Sequence, residues 1–389
     1  MTVPDDERLL GRPLGRISQL DIARGIAVVL MIMGHSIDAV LAPGPRMTEA
    51  FRFYDILRGL TAPFFLLLSG FAFSVATSKR WEEHTRLGRQ SARRLLRAAL
   101  LLAIGYALHL PFFSFGKLLL NASADDYAQL LQADVLQCVA LSLVALQSAV
   151  LLARTPDRLL RLSLALALTI ALAAPVVWAV DLSGVLPRAV IPYLNRQYQT
   201  MFPMVPYGAY MFLGAALGLS YLRARAQDGE AIWRRRVLVA AGLLVAAGLL
   251  GEALPWTVYP VHDYWRINPG VLAIRAGSVM IGAVALLRVR HVPRSAAQTL
   301  TVLGQSSLMI YVTHLILVYG SVVNPGLGEL LGRELSAPAA MTVGVAVVAV
   351  MTGLAFGFRI LRNDYRLALR MAQASAATVF MYLFITRPY

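Results

Sequence analysis

The sequence predicts an all-α, polytopic integral membrane protein with about eleven transmembrane helices, its N-terminus cytoplasmic and its C-terminus outside. Three observations carry this reading. First, 58% of the 389 residues are hydrophobic and only 15% are charged, where a soluble domain carries about 25% charge. Second, the mean hydropathy is +0.63, and the apolar residues gather in runs long enough to cross a bilayer, which takes about 20 residues. Third, the positive charge is concentrated in alternate loops, as the positive-inside rule requires of a multispanning chain.

The runs are 20–40, 55–77, 97–115, 134–153, 159–180, 203–222, 237–254, 270–288, 299–323, 338–358 and 367–385. Arg8, Arg12 and Arg16 precede the first. Lys79, Arg80, Arg86, Arg89, Arg93, Arg94 and Arg97 follow the second, and Arg154, Arg158 and Arg161 the fourth. Arg223, Arg225 and Arg234 to Arg236 follow the sixth. Arg288, Arg290 and Arg294 follow the eighth, and Arg359, Arg362, Arg366 and Arg370 the tenth. If all eleven runs span, these residues, most of the 36 Lys and Arg, share one side. That side is cytoplasmic. The formal charge of +15 is then mainly a topology signal and speaks against nucleic acid as a partner. Residues 1–19 read as a cytoplasmic segment, 20–385 as the membrane domain and 386–389 as a short outer tail. The first run is longer than a signal-peptide core and reads as retained.

The loops between basic ones are aromatic with scattered polar groups, as in PWTVYPVHDYWRINP. An interfacial aromatic belt and a sugar-binding mouth both fit them. Gly214 and Gly218 have the small-residue spacing of close helix packing. The single Cys138 excludes an intrachain disulfide and a multi-cysteine metal site. No HExxH, CxxC, Walker loop or GxSxG occurs, so the sequence calls for no metal and gives no support to nucleotide-driven transport or a nucleophile elbow.

Polar groups inside the runs mark the candidate chemistry, because lipid disfavours them and they must face protein or water. LDIARGIAVVLMIMGHSIDAV carries Asp21, Arg24, His35 and Asp38. From Arg24, steps of four and three pass Val28 and Met31 to His35 and Asp38, one stripe of a helix. Arg24 and His35 are about 16 Å apart along its axis. His35 is a candidate to accept and donate a proton, because histidine is the side chain whose unperturbed pKa lies near neutral pH. Asp38, three residues on, is placed to orient the ring and raise its basicity, the base-plus-orienter half of an acyl-transfer or hydrolytic site. The pair also reads as packing that fixes the helix. Arg93, Arg94 and Arg97 form an arginine cluster suited to phosphate oxygens, or to lipid headgroups. Ser307, Tyr311 and His314 follow four-and-three spacing late in the chain and can contact an acceptor or an oxyanion, or act as polar glue between helices. Ser69 and Gln137 are further candidates of that kind. Pro63 with Ser69–Gly70 suggests a kinked or broken second helix, and Glu252 is a candidate partner for the intramembrane Arg275.

With these residues in view, DIARGIAVVLMIMGH resembles the first-helix signature of the acyltransferase-3 family: Asp21, Arg24, then ten residues, then His35. APFFLLLSGFAFS, RQSARRLLRAALL and LGQSSLMIYVTHLIL are similar to later phrases of that family. DVLQCVALSLV and YQTMFPMVPYGAYMFLGAALG look more like the heparan-α-glucosaminide N-acetyltransferase group of multispanning acyltransferases. The resemblance implies transfer of an acyl group, usually acetyl, from cytoplasmic acyl-CoA to a hydroxyl or amine of an extracytoplasmic carbohydrate or glycolipid. It implies His35 as the catalytic histidine, Arg24 as the cation on the CoA side, and Arg93, Arg94 and Arg97 as phosphate contacts. The expected setting is a bacterial inner membrane. The rival reading is a transporter or flippase for a glycolipid or organic anion.

Overall fold

The computed structural model describes residues 18–254, 258–288 and 293–387, and they are almost wholly helical. Arg8, Arg12, Arg16, Arg290, His291 and the last two residues lie outside the described residues. We label the principal helices α1 (Ser18–Val40), α2 (Glu49–Arg58), α3 (Thr61–Ser78), α4 (Arg89–Leu108), α5 (Val135–Ala153), α6 (Pro156–Ala179), α7 (Met204–Ala226), α8 (Glu230–Ala253), α9 (Pro269–Arg288), α10 (Arg294–Gln305), α11 (Ser307–Tyr319), α12 (Ala337–Asp364) and α13 (Arg366–Thr386). A two-stranded antiparallel hairpin, Gly320–Ser321 with Asn324–Pro325, follows α11.

Among the described residues, nine helices are long and apolar enough to cross a membrane, or ten if the bent pair α10–α11 is one span. The expected eleven are reduced at the third. The run 97–115 does not form the helix: α4 begins at Arg89 and ends at Leu108, three residues before Pro111, whose ring and missing N–H oppose a continued helix. The helix therefore includes Arg89, Arg93, Arg94 and Arg97, and only its later half is apolar. The second run is interrupted as well, but at Gly59–Leu60 between α2 and α3 and not at Ser69–Gly70. Pro63 lies in the first turn of α3, where its missing N–H costs no helical bond. α10 and α11 meet at Ser306 with a bend of 80°.

The chain forms two compact units. One comprises the described residues within Met1–Leu20, Ala62–Gly105 and Leu131–Arg290. In it α8 packs along α9, α6 along α7, and α5 against both α6 and α7. α3 and α7 touch backbone to backbone: a Cβ at Gly70 would collide with the Met211 carbonyl, and one at Gly214 with the Leu67 carbonyl. These two glycines are thus the small residues that close packing between apolar helices requires. Leu164, Leu168 and Leu172 form an exposed stripe at four-residue spacing on α6. Acyl chains are the solvent that such a stripe suits.

The other unit comprises the described residues within Asp21–Thr61, Tyr106–Leu130 and His291–Tyr389. Val28 and Ile32 of α1, Ile310 and Val318 of α11 and Ala340, Val347 and Met351 of α12 form its buried core. α1 and α10 cross at backbone contact, because a Cβ at Gly25 would strike the Leu300 carbonyl and one at Gly304 the Asp21 carbonyl. This crossing brings the stripe of α1 against the start of α11. Phe380 and Phe384 of α13 pack on Phe113.

Candidate active site

α1 runs unbroken from Ser18 to Val40, so Arg24, His35 and Asp38 are fixed on one rod. Tight crossing with α10 sets Arg24 beside the break at Ser306, and its Nη2 donates to the Ser307 hydroxyl at 3.0 Å. Gln305 Nε2 donates to Asp21 Oδ2 at 3.4 Å. The polar end of α1 is thus tied to the two residues flanking the bend.

Further along, His35 meets His314 of α11. His35 Nδ1 and His314 Nε2 are 2.8 Å apart, and the two ring planes differ by 1°. His314 is fully buried, and its Nδ1 lies 2.8 Å from the Ile310 carbonyl oxygen. A carbonyl only accepts, so His314 Nδ1 carries a hydrogen. In the neutral ring its Nε2 is then the acceptor. His35 Nδ1–H donates to it, and the lone pair of neutral His35 is left on Nε2. A backbone carbonyl thereby fixes the tautomers of two histidines in sequence. The Tyr311 ring stands edge-on to His314 at 5.7 Å. Tyr319 stands edge-on to His35 at 5.7 Å, and its hydroxyl donates to the His35 carbonyl at 3.4 Å.

Asp38 does not take the place expected of it. Its Oδ1 accepts from Arg46 Nη1 at 2.8 Å and is 3.2 Å from Arg58 Nη1. Arg46 also donates to the Asp38 and Leu41 carbonyls, and Arg58 reaches Asp55 at 2.6 Å. A full guanidinium charge outcompetes a neutral imidazole for a carboxylate. The ring partner of His35 is therefore His314, and Asp38 is the hub of a four-membered ion-pair chain, Arg46–Asp38–Arg58–Asp55. Arg58 lies over the same face: its Cγ is 3.3 Å from where a Cβ on Gly34 would be.

Ser307, Tyr311 and His314 are thus gathered with Arg24 and His35 in one unit. Ser69 and Gln137 belong to the other, where local bonds hold them. The Ser69 hydroxyl donates to Phe65 O at 2.8 Å. Gln137 closes the capping box of α5, accepting from Asp134 N and donating to Gln132 O. The arginine cluster divides. Arg94 turns inward, donating to Gln147 Oε1 and Thr77 Oγ1, each at 2.9 Å, with its guanidinium 4.4 Å from the Phe73 ring centre. Arg93 and Arg97 are exposed, with no ion-pair partner among the described residues. Arg275 donates to the Trp265 carbonyl at 3.0 Å and not to Glu252, which is exposed. Among the described residues no three His, Cys, Asp or Glu side chains come together as a metal-holding group.

Arg46, Tyr319 and the Asp38 bridge of Arg58 were missed in the sequence. Arg46 sits in the four-residue helix Pro43–Arg46, too short for any periodic signal. Tyr319 lies near the end of the apolar run 299–323, where no spacing singles it out.

Residues 17–360 match the acyltransferase 3 family, described as an acyltransferase domain. No curated protein matches the chain. The match covers most of its length, including both histidines and the arginine of α1. The chain belongs to the acyltransferase 3 family and is a multispanning membrane acyltransferase.

Proposed function

We propose that this acyltransferase takes an acyl group, usually acetyl, from acyl-CoA on the cytoplasmic side and delivers it to a hydroxyl or amine of an extracytoplasmic carbohydrate or glycolipid. The basic loops lie on the cytoplasmic side in this reading, and the membrane is a bacterial inner membrane. His35 is the general base. The observation that supports it is the chain Ile310 carbonyl, His314, His35, which leaves the His35 Nε2 lone pair as the group to accept a proton.

The acceptor O–H or N–H gives its proton to His35 Nε2 while its oxygen or nitrogen bonds to the thioester carbonyl carbon. The C–S bond then breaks, and the departing thiolate takes the proton back from the imidazolium. Arg24, anchored on Ser307, is the cation on the donor side, and Ser307 and Tyr311 are the groups offered to the acceptor or the oxyanion. Asp38 acts through the arginines that it holds. Exposed Arg93 and Arg97 take the phosphates of CoA, whereas Arg94 serves the fold.

The test is release of free CoA from acetyl-CoA by the purified protein in detergent. Cys138, the only cysteine, is fully buried, so a thiol reagent reads CoA with the folded chain silent. No release by folded protein, with any of acetyl-, butyryl- or palmitoyl-CoA, would remove CoA as the donor. The double change Arg93→Gln, Arg97→Gln is expected to raise KM for acetyl-CoA by about tenfold, a modest share of the binding of a multiply charged ligand, and to leave thermal stability unchanged. Arg94→Met is expected to lower stability by about 1–3 kcal/mol, because it strips the partners of Gln147 and Thr77. Thermal unfolding beside saturation kinetics separates the two roles. An unchanged KM in the double variant would remove Arg93 and Arg97 from the donor site.

A further inference from the structure

The unit that contains α6, α8 and α9 holds a cleft of its own. Its volume is about 420 Å³, and its lining includes Trp178, Arg196, Gln199, His262, Asp263 and Arg266. Trp178 ends α6. Arg196 and Gln199 come from the segment between α6 and α7, and the other three from the segment between α8 and α9.

The described residues of both segments lack long regular elements but are closely hydrogen-bonded. In the first, Asn195 is buried. It donates to the Val180 carbonyl and to Gln197 Oε1, and Gln197 Nε2 donates to Asp181 at 2.5 Å. Buried Thr200 accepts from Ala133 N. In the second, Gly270 N donates to Asn268 Oδ1 at 2.8 Å. That contact fixes the amide, so Asn268 Nδ2 donates to His262 Nε2 and His262 Nδ1–H donates to the Pro260 carbonyl. The Tyr264 hydroxyl donates to the Gly248 carbonyl. Such segments form a ready-made wall and need little ordering when a ligand binds.

The groups aimed at the cleft have capacity to spare. Arg196 donates through Nε to the Thr200 carbonyl at 2.9 Å and through Nη2 towards Met201 sulfur. That leaves Nη1 without a partner among the described residues. Arg266 is exposed, and its one ionic contact among the described residues is Nε at 4.0 Å from Asp263. Trp178 has its N–H satisfied by the Val205 carbonyl at 2.9 Å, so the indole is held in place and offers an apolar surface. Asp263 accepts from Trp265 N and has lone pairs left over. Gln199 has φ of +56°, a conformation that a non-glycine residue adopts at a cost and that gathers at functional sites.

Two guanidiniums, one carboxylate and a clamped indole are the set that recognises a sugar ring bearing an acid group. We infer that this cleft binds an anionic saccharide: the ring lies on Trp178, its carboxylate or phosphate is held between Arg196 and Arg266, and its hydroxyls meet Asp263 and Gln199. The inference rests on the carbohydrate-acceptor reading above for the ligand's class.

The test is saturation-transfer NMR on the full-length protein in detergent, without acyl donor, so that the outcome does not depend on whether His35 transfers anything. The ligands are D-glucuronate and D-glucose, with inorganic phosphate, CoA and phosphatidylglycerol nanodiscs as competitors. Glucuronate is expected to bind at least tenfold more tightly than glucose. Arg266→Gln, a change at an exposed side chain whose ionic contact among the described residues is the 4.0 Å approach to Asp263, is expected to remove that preference. Arg196→Gln, with thermal unfolding as control, is expected to act the same way. Equal binding of glucose and glucuronate, or an unchanged preference in Arg266→Gln, would overturn the inference. So would displacement by phosphate alone at equal concentration, which would reduce the cleft to a plain anion site. Displacement by CoA or by phosphatidylglycerol would assign it instead to the donor or to lipid headgroups.

Discussion

His35→Ala is expected to lower acyl transfer by about 10²–10⁴-fold, the range for losing a positioned general base, with the protein still folded and spanning. The side chain is half-buried and contacts the His314 ring and Tyr319, so its loss empties little of the core. The deficit belongs in kcat, because no donor contact is assigned to this ring. His35→Gln sharpens the test. It keeps an N–H for His314 Nε2 but provides no base, and is expected to be as inactive as the alanine variant. If His35→Gln kept more than a tenth of the activity while His35→Ala lost it, the ring would be an anchor for α11 and not the base. The readout is CoA release per folded protein, with folding followed by size exclusion and thermal unfolding.

Much of this site was legible in the sequence, and the reasons are local. Arg24, His35 and Asp38 fall on one stripe because four-and-three spacing in a helix leaves no alternative. Ser307, Tyr311 and His314 repeat that spacing, and the structure brings them to the same unit as the stripe. What periodicity does not contain is the choice of partner. His35 has a carboxylate three residues away, yet it bonds to a histidine 279 residues later. Two arginines from the segment after α1 claim Asp38, and nothing in the spacing of PGPR or EAFRFYDILR ranks them against an imidazole. The helix counts differ for the same kind of reason. An apolar run shows where a segment is greasy, but α4 is bounded by where a helix can start and where Pro111 opposes it, so it takes in the arginines upstream. The break at Ser306 has no proline to announce it. It shows itself only where Gly304 lets α10 lie against α1. The transporter reading rested on the broken helices and intramembrane charges, and those features equally serve an acyltransferase, the class to which the family match assigns the chain.

His314→Leu is expected to lower kcat by about 10- to 100-fold and to leave KM for the acyl donor within about twofold. The substitution leaves His35 Nδ1–H without its acceptor. An unpaired polar group in such a place costs about 1–3 kcal/mol, and at about 1.4 kcal/mol per tenfold that is the stated loss of rate. The loss arises through tautomer and orientation. Without the Ile310–His314 relay, the His35 hydrogen is free to sit on Nε2, and the base is then blunt where the acceptor meets it. His314→Gln is expected to restore part of the rate, because its amide oxygen can accept from His35 Nδ1 and its amide nitrogen can take up a backbone carbonyl. A role confined to packing would favour leucine, which fills the buried space of His314 at least as well as glutamine. The ¹⁵N shifts of His35 give a second readout: a protonated Nδ1 with bare Nε2 in the parent protein, and a mixture of tautomers in His314→Leu. Parent-like kcat in His314→Leu, or a single unchanged tautomer, would separate His314 from the chemistry and leave His35 to be positioned by α1 and Tyr319 alone.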